Sequence, residues 1–268
     1  MTATLAAVAM ASALALAGCA HNQSETAQNV DATPEMATLQ ADTLTACLYA
    51  GFPPFASKDG DTWSGWDVDY LTAFAATKGL ALKVVEVPTF QDIWMRPGND
   101  ECDVAGTGIT ELPTRKAQGS SAVSWTKPYF IDARALAVRK GTQINGVNDL
   151  AGKTVVVIKG STADTDLTNR LDRAGLTNVT VVYATDGTDA VRKVVAAMAN
   201  GPVAFGSDLV SMQALAKENP GIEAAWPHCL MVSNGSEVAE PIGFAVRTAS
   251  TGLVQALNSF ITQRGTPY

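Results

Sequence analysis

Apolar positions along the chain fall into short runs and helical stripes that alternate. Leu44 to Tyr49 reads as a strand. The following Gly51-Phe52-Pro53-Pro54-Phe55 must be irregular, because two prolines can feed neither a ladder nor a helix interior. Asp67 stands where it would cap a helix over about Val68 to Lys78, with Val68, Leu71, Phe74 and Ala75 on one face and Gly79 as its stop. Ala81 to Val87 and Cys102 to Gly106 read as further strands. Strand, helix, strand, short link, strand is a βαβ rhythm, which predicts a mostly parallel sheet covered by helices.

The rhythm restarts after Ala133. Thr154 to Ile158 is a β-branched run suited to a strand buried on both faces. Gly160-Ser161-Thr162 follows it, then a helix over about Asp164 to Ala174, a strand at Val179 to Tyr183 and a helix over Asp189 to Asn200. Val203 to Phe205 reads as a strand, Asp208 to Lys217 as a helix, Gly243 to Arg247 as a strand and Thr251 to Thr262 as a helix. Two α/β units with a late return segment result, and ligands of such sheets sit beyond the carboxyl ends of the strands.

The first residues behave differently. Leu5 to Gly18 is apolar and uncharged, too short to span a bilayer, which takes about 20 residues, and it fits the core of a secretory signal over 1–18. It ends in Leu16-Ala17-Gly18-Cys19, which resembles the lipobox of bacterial lipoproteins and implies acylation of Cys19. The polar stretch from there to 42 reads as a disordered tether. The chain is therefore expected to be exported to the periplasm or cell surface and anchored in the membrane by lipid.

Of 268 residues, 47% are hydrophobic and 17% charged, a globular composition. The formal charge of −7 argues against a nucleic-acid partner. Two histidines, His21 and His228, leave no basis for a multi-histidine metal site, and no cofactor is expected. Three cysteines follow Cys19; they allow at most one internal disulfide, for which Cys47 with Cys102 is the favoured pair.

Seven further motifs occur in sequence. They are Phe52-Pro53-Pro54-Phe55, Gly65-Trp66-Asp67-Val68-Asp69, the segment Cys102 to Thr110, Arg115 with Ser124 to Tyr129, Gly160-Ser161-Thr162, Gly206-Ser207-Asp208 and Gly243 to Arg247. In this order and spacing the chain resembles the bacterial extracellular solute-binding proteins of family 3, the polar amino-acid receptors of ABC importers. The resemblance implies a two-lobed α/β fold, the type II periplasmic binding protein fold. One lobe would hold about 44–133 with 238–268, and the other about 136–235. Crossover strands near Asp132 to Val138 and Val238 to Val246 would form the hinge. It also implies a monomeric receptor that hands its ligand to a membrane permease, not an enzyme.

The chemistry an amino acid demands points to the same positions. A fixed cation must meet the carboxylate, and Arg115 offers a planar fork that matches it. Thr107, Gly108 and Thr110 are placed to add backbone N–H groups and a hydroxyl. Ser161 and Thr162, at a helix start, would offer donors from the second lobe, and Asp208 would accept the ammonium. Phe52 and Phe90 correspond to the aromatic walls that sandwich the ligand in the family. Gly108 stands where many members carry Ser or Thr. Tyr49 stands where receptors for basic or amide side chains often carry an acid, which argues against a lysine, arginine or histidine ligand. A rival reading is a cyclohexadienyl (arogenate or prephenate) dehydratase on the same fold, for which Glu240 and Glu237 are the carboxylates near enough in sequence to act as acid or base. A sensor or other non-transport binding lipoprotein is a third.

Overall fold

The computed structural model describes residues 36–197 and 201–266. The expected leader and Cys19 lie outside them. The chain runs through β1 (Thr43–Leu48), the hairpin β2 (Ser57–Asp59) and β3 (Thr62–Ser64), α1 (Trp66–Thr77), β4 (Ala81–Glu86), β5 (Val104–Thr110) and α2 (Pro113–Gly119). Next come β6 (Val123–Trp125), β7 (Phe130–Asp132), β8 (Arg134–Arg139), β9 (Thr154–Ile158), α3 (Thr162–Ala174), β10 (Thr180–Ala184) and α4 (Gly187–Ala196). The last part holds β11 (Ala204–Asp208), α5 (Leu209–Glu218), β12 (Ile222–His228), β13 (Leu230–Met231), β14 (Glu237–Val238), β15 (Glu240–Arg247) and α6 (Thr251–Arg264).

Two sheets define two lobes. The first has the order β4-β1-β5-β15-β6 with β7 also on β15, and the second the order β10-β9-β11-β8-β12. Both are mixed rather than mostly parallel. In the first, β4, β1 and β5 run parallel and β15 returns antiparallel; in the second, β10, β9 and β11 are parallel while β8 and β12 oppose them. The chain passes from the first sheet to the second at Ala133, between β7 and β8, and returns along β15.

Apolar pattern explains the layers. The β9 run Val155-Val156-Val157 is fully buried, covered on both faces, each side chain contributing about 1.5–3 kcal/mol by leaving water. In the first lobe Tyr70, Phe74 and Phe244 pack with Leu253 and Leu257 of α6, and the Tyr129 ring stacks on Phe244 at 4.7 Å. Another buried cluster continues from Tyr49, Phe52 and Phe90 to Ala184, Val191 and Phe205 of the second lobe, so the lobes are in contact.

The expected tether ends earlier than 42. The Leu39 N–H donates to Asp103 Oδ1 at 2.7 Å, and Met36 packs on the first lobe's core. Asp103 also accepts from the Thr45 N–H at 2.8 Å, so one buried carboxylate fixes the entry into β1.

Cys47 in β1 and Cys102 before β5 form a disulfide, with Cα atoms 5.8 Å apart and 55 residues separating them in sequence. Cys229 is free and exposed. Closing a loop of that length restrains the unfolded chain by up to about 4 kcal/mol in the chain-entropy account. A Cys47→Ala, Cys102→Ala double variant is expected to lose a comparable unfolding free energy, read from the lowered midpoint and slope of its denaturant unfolding curve against the oxidised chain.

Candidate functional site

The two lobes meet along the carboxyl ends of their parallel strands, the edge where α/β sheets hold ligands. A small cavity there is lined by Phe52, Phe90, Thr107 and Gly108 from the first lobe and Ser161, Thr162 and Asp208 from the second, all expected from sequence. Phe55, Arg134, Ser207 and Glu240 line it as well. Hydrogen bonds that join the lobes across the cleft include Thr110 Oγ1 with Thr162 Oγ1 at 2.7 Å, Arg115 Nη2 to the Gly160 carbonyl at 3.2 Å, the Gly187 N–H to the Gly51 carbonyl at 3.1 Å, and Tyr49 OH to the Thr185 carbonyl.

Local geometry departs from the sequence expectations at several positions. Asp67 does not cap α1; Gly65 holds that position, without a side-chain cap. Asp67 lies inside the first turn, fully buried, and its carboxylate accepts the N–H groups of Thr107 and Gly108 and the Tyr129 hydroxyl. Those two amides, expected to cradle a ligand carboxylate, thus donate to the protein itself. Burial, working against these three donors, pushes the Asp67 carboxyl up to about 6. The same bonds hold Thr107 at φ 81°, a left-handed conformation that a β-branched residue rarely adopts.

Gly108 has φ 61°, and a Cβ there would lie 2.6 Å from Cδ2 of Phe55. The Phe55 ring therefore excludes the serine or threonine that many family members carry at this place. The Phe52 and Phe90 rings touch edge to face, with centroids 4.8 Å apart. They build a single aromatic wall rather than the two sides of a sandwich.

Arg115 rises from α2, which begins at Pro113 in the position that suits a proline. It is 3% exposed. Nη1 donates to the Thr110 carbonyl at 3.0 Å, so the guanidinium grips a carbonyl of each lobe, and its face lies 4.3 Å from the Trp94 ring centroid. It stands behind the residues that line the cavity. Burial pulls it down to about 9, still cationic at neutral pH.

On the opposite lobe Ser161 caps α3, its Oγ accepting the Asp164 N–H at 3.3 Å. Asp208 caps α5 through the Ser211 N–H at 2.8 Å and accepts the Ser207 hydroxyl at 3.0 Å, while also facing the cavity. Capping and ligand-facing positions coincide because both demand a side chain at the end of a strand and the start of a helix.

Arg134 and the position of Glu240 beside it carry no local sequence signal. Arg134 Nη1 reaches both oxygens of Glu240, at 2.8 and 2.9 Å, and both residues are buried. Glu240 also accepts the Thr110 hydroxyl at 2.6 Å. Burial raises its carboxyl above the ordinary range, against the pull of Arg134. Glu237, the other carboxylate noted in the sequence, is exposed and pairs with Arg170 at 2.9 Å. Among the described residues no cluster of His, Cys, Asp and Glu could hold a metal ion.

This arrangement, two α/β lobes closed on a small polar cavity, defines a solute-binding class of fold. Residues 44–265 match the profile of the bacterial extracellular solute-binding proteins, family 3, and the chain belongs to that family. Among solved structures it is similar to an ancestral arginine-binding protein bound to arginine, with 27% identity and a TM-score of 0.70 over 83% of this chain and 92% of that one. It is also similar to the arginine-bound form of a truncated ArgBP from T. maritima, with 27% identity and a TM-score of 0.68 over 83% and 96% of the two chains. A curated relative, the glutamine-binding protein of Geobacillus stearothermophilus, is 31% identical over 60% of this chain and 65% of its own length. The arginine-binding extracellular protein ArtP of Bacillus subtilis (strain 168) is 30% identical over 42% of each chain. The matched segments thus span 42% to 65% of these curated relatives' length.

Because Asp67 alone receives the two amides that shape the cavity floor, Asp67→Ala leaves them buried and unpaired. The expected loss of stability is about 3 kcal/mol, read as a lowered urea midpoint with the fold's circular dichroism otherwise retained below the transition.

Proposed function

We propose that the chain is an extracytoplasmic receptor that captures a small zwitterion, an amino acid, between its lobes and delivers it to an ABC permease. The observation that carries this reading is the small cavity between the lobes, with Asp208 and the α3 N-terminus on one side and the Phe52–Phe90 wall on the other. Asp208 accepts the ligand's ammonium. Arg115, Ser161 and Thr162 serve its carboxylate, with the cation held behind the wall by two carbonyls and drawn into the site as the ligand enters. Thr107, Gly108 and Thr110 shape the floor. Relatives are named for arginine and for glutamine. Tyr49, fastened by its hydroxyl to the Thr185 carbonyl, offers a basic side chain no carboxylate at that place, which favours a polar or neutral ligand. Closure is a hinge motion about the segments at Ala133 and β15, and expelling water there strengthens each charged contact.

A second reading draws on Glu240. A buried carboxyl raised by its surroundings and facing a small cavity is the kind of group a dehydratase uses as acid or base.

A thermal-shift screen against the twenty amino acids and prephenate separates the two. An amino acid is expected to raise the melting temperature, and Asp208→Ala to weaken that hit by roughly 30-fold or more, the effect of about 2 kcal/mol. Arg115→Ala is expected to abolish the shift. Conversion of prephenate to phenylpyruvate, lost in Glu240→Gln, would instead establish the enzyme.

The anchor is tested separately. Expressed in bacteria fed radiolabelled palmitate, the chain is expected to carry label in the membrane fraction, and Cys19→Ser to remain unlabelled with its leader uncleaved. Label on neither protein would remove the lipoprotein reading and leave the binding reading in place.

A further inference from the structure

Four charged side chains meet where the connecting strands pass beneath the cleft. Asp132 is register partner to Glu240 across β7 and β15, and Arg134 to Asp208 across β8 and β11. Residues directly opposite in antiparallel strands hold their Cβ atoms about 5 Å apart. With Asp132 and Arg134 two positions apart in sequence, the set is compact: three carboxylates share one guanidinium. Arg134 spends Nη1 on Glu240. Asp132 Oδ1 accepts the Ala133 N–H at 2.7 Å, but its Oδ2 is buried with no hydrogen-bond partner among the described residues, as is Arg134 Nε.

Three carboxylates gathered around one arginine repel one another, and the carboxyls of Asp132 and Glu240 are both raised, so either can take up a proton. An empty cleft therefore keeps a proton in the quartet. Resting on the amino-acid reading above, we propose that the ligand's ammonium group replaces that proton: Asp208 and Glu240 line the cavity and accept a primary-amine cation, and Asp132, their neighbour outside the cavity lining, gives up one proton to water as the cation binds. One positive charge enters and one departs, so the buried site keeps its balance. The class of ligand follows, since a solute without a protonated amine cannot make the exchange.

Asp132 is the natural carrier of the proton. Burial, then the charges of Asp208 and Glu240, push it up to about 8, with the Ala133 N–H and Arg134 pulling the other way. The groups facing it are Glu240 from β15, Asp208 from the end of β11 and Arg134 from β8. The nearby Trp66 of α1 and Gln213 of α5 do not titrate. A carboxyl raised in this way is protonated in the ligand-free protein at neutral pH, and an adjacent ammonium lowers it. Affinity must then rise with pH across the range below about 8, by up to about tenfold per unit for one proton exchanged.

The test is calorimetric titration with L-glutamine, or whichever of the twenty amino acids gives the largest thermal shift, in buffers of low and high ionisation enthalpy. Near pH 7 close to one proton released per ligand is expected, with affinity rising several-fold from pH 6 to 7.5, where the amino acid's own ammonium stays protonated. Asp132→Asn is expected to lose both the proton release and the pH slope. Binding without proton release, or an unchanged slope in the variant, overturns the exchange and leaves the amino-acid reading intact. Failure of every amino acid to bind overturns both. Should the variant not fold, the proton count on the unaltered chain decides the matter.

Discussion

Charge buried between the lobes is the constraint on which the rest of the molecule depends. The cleft between the lobes holds ionised groups away from water, and each is costly unless paired. The fold meets this at the hinge. Glu240 on β15 and Arg134 on β8 belong to different sheets and to the two segments that join them, and they neutralise each other there. The pair is buried, and a single nitrogen, Nη1 of Arg134, serves both oxygens of Glu240 at short range, which sets a strong Coulomb attraction against the cost of desolvation.

From that pair a directed chain of hydroxyls runs across the cleft. Glu240 accepts from Thr110, so the Thr110 proton is committed, and Thr162 must be the donor in the bond between the two threonine oxygens. Thr110 belongs to β5 of the first lobe and Thr162 to the first turn of α3 in the second. Opening the cleft breaks this link, but Thr110 and Glu240 lie on paired strands of one sheet and their bond remains. The ion pair at the hinge and the contact between the two threonines are joined through Thr110, whose oxygen is the atom that loses a donor when the lobes part.

Much of this was legible in the chain and some was not, for physical reasons. The β9 run of valines and the helix after Ser161 follow from local periodicity, and the structure has them where the pattern put them. Seven of the nine positions expected to contact a ligand line the cavity, because they sit at strand ends, where turn-forming and capping residues announce themselves. The Arg134–Glu240 pair spans 106 residues in sequence, and Asp67 reaches Thr107 across 40. Nothing in the local pattern signals such partnerships. Asp67 before an apolar stripe looked like a helix cap, yet burial against β5 gave its carboxylate two backbone donors of another element instead. Mixed sheets escaped for a similar reason: a returning strand such as β15 has the same composition whichever way it runs.

The aromatic wall and the arginine behind it illustrate how packing revises a role inferred from residue type. Phe52 and Phe90 touch, and Phe90 and Trp94 in turn lie against the Arg115 guanidinium, with centroids 5.6 and 4.3 Å from it. Stacking of this kind holds a cation by its face and leaves its edge for hydrogen bonds. At that edge stand the carbonyls of Thr110 and Gly160, one from each lobe. The guanidinium thus fastens the lobes to each other, and a carboxylate arriving in the cleft competes with two neutral acceptors for the same donors. A charged acceptor outcompetes a carbonyl, since charge-assisted bonds are roughly twice as strong. On the receptor reading proposed above, a ligand that touched both lobes would conserve the clasp as it replaced the carbonyls, whereas a solute too short to bridge them would weaken it. Selection for ligands that span the gap would then follow from Arg115's two carbonyl partners, one on each lobe.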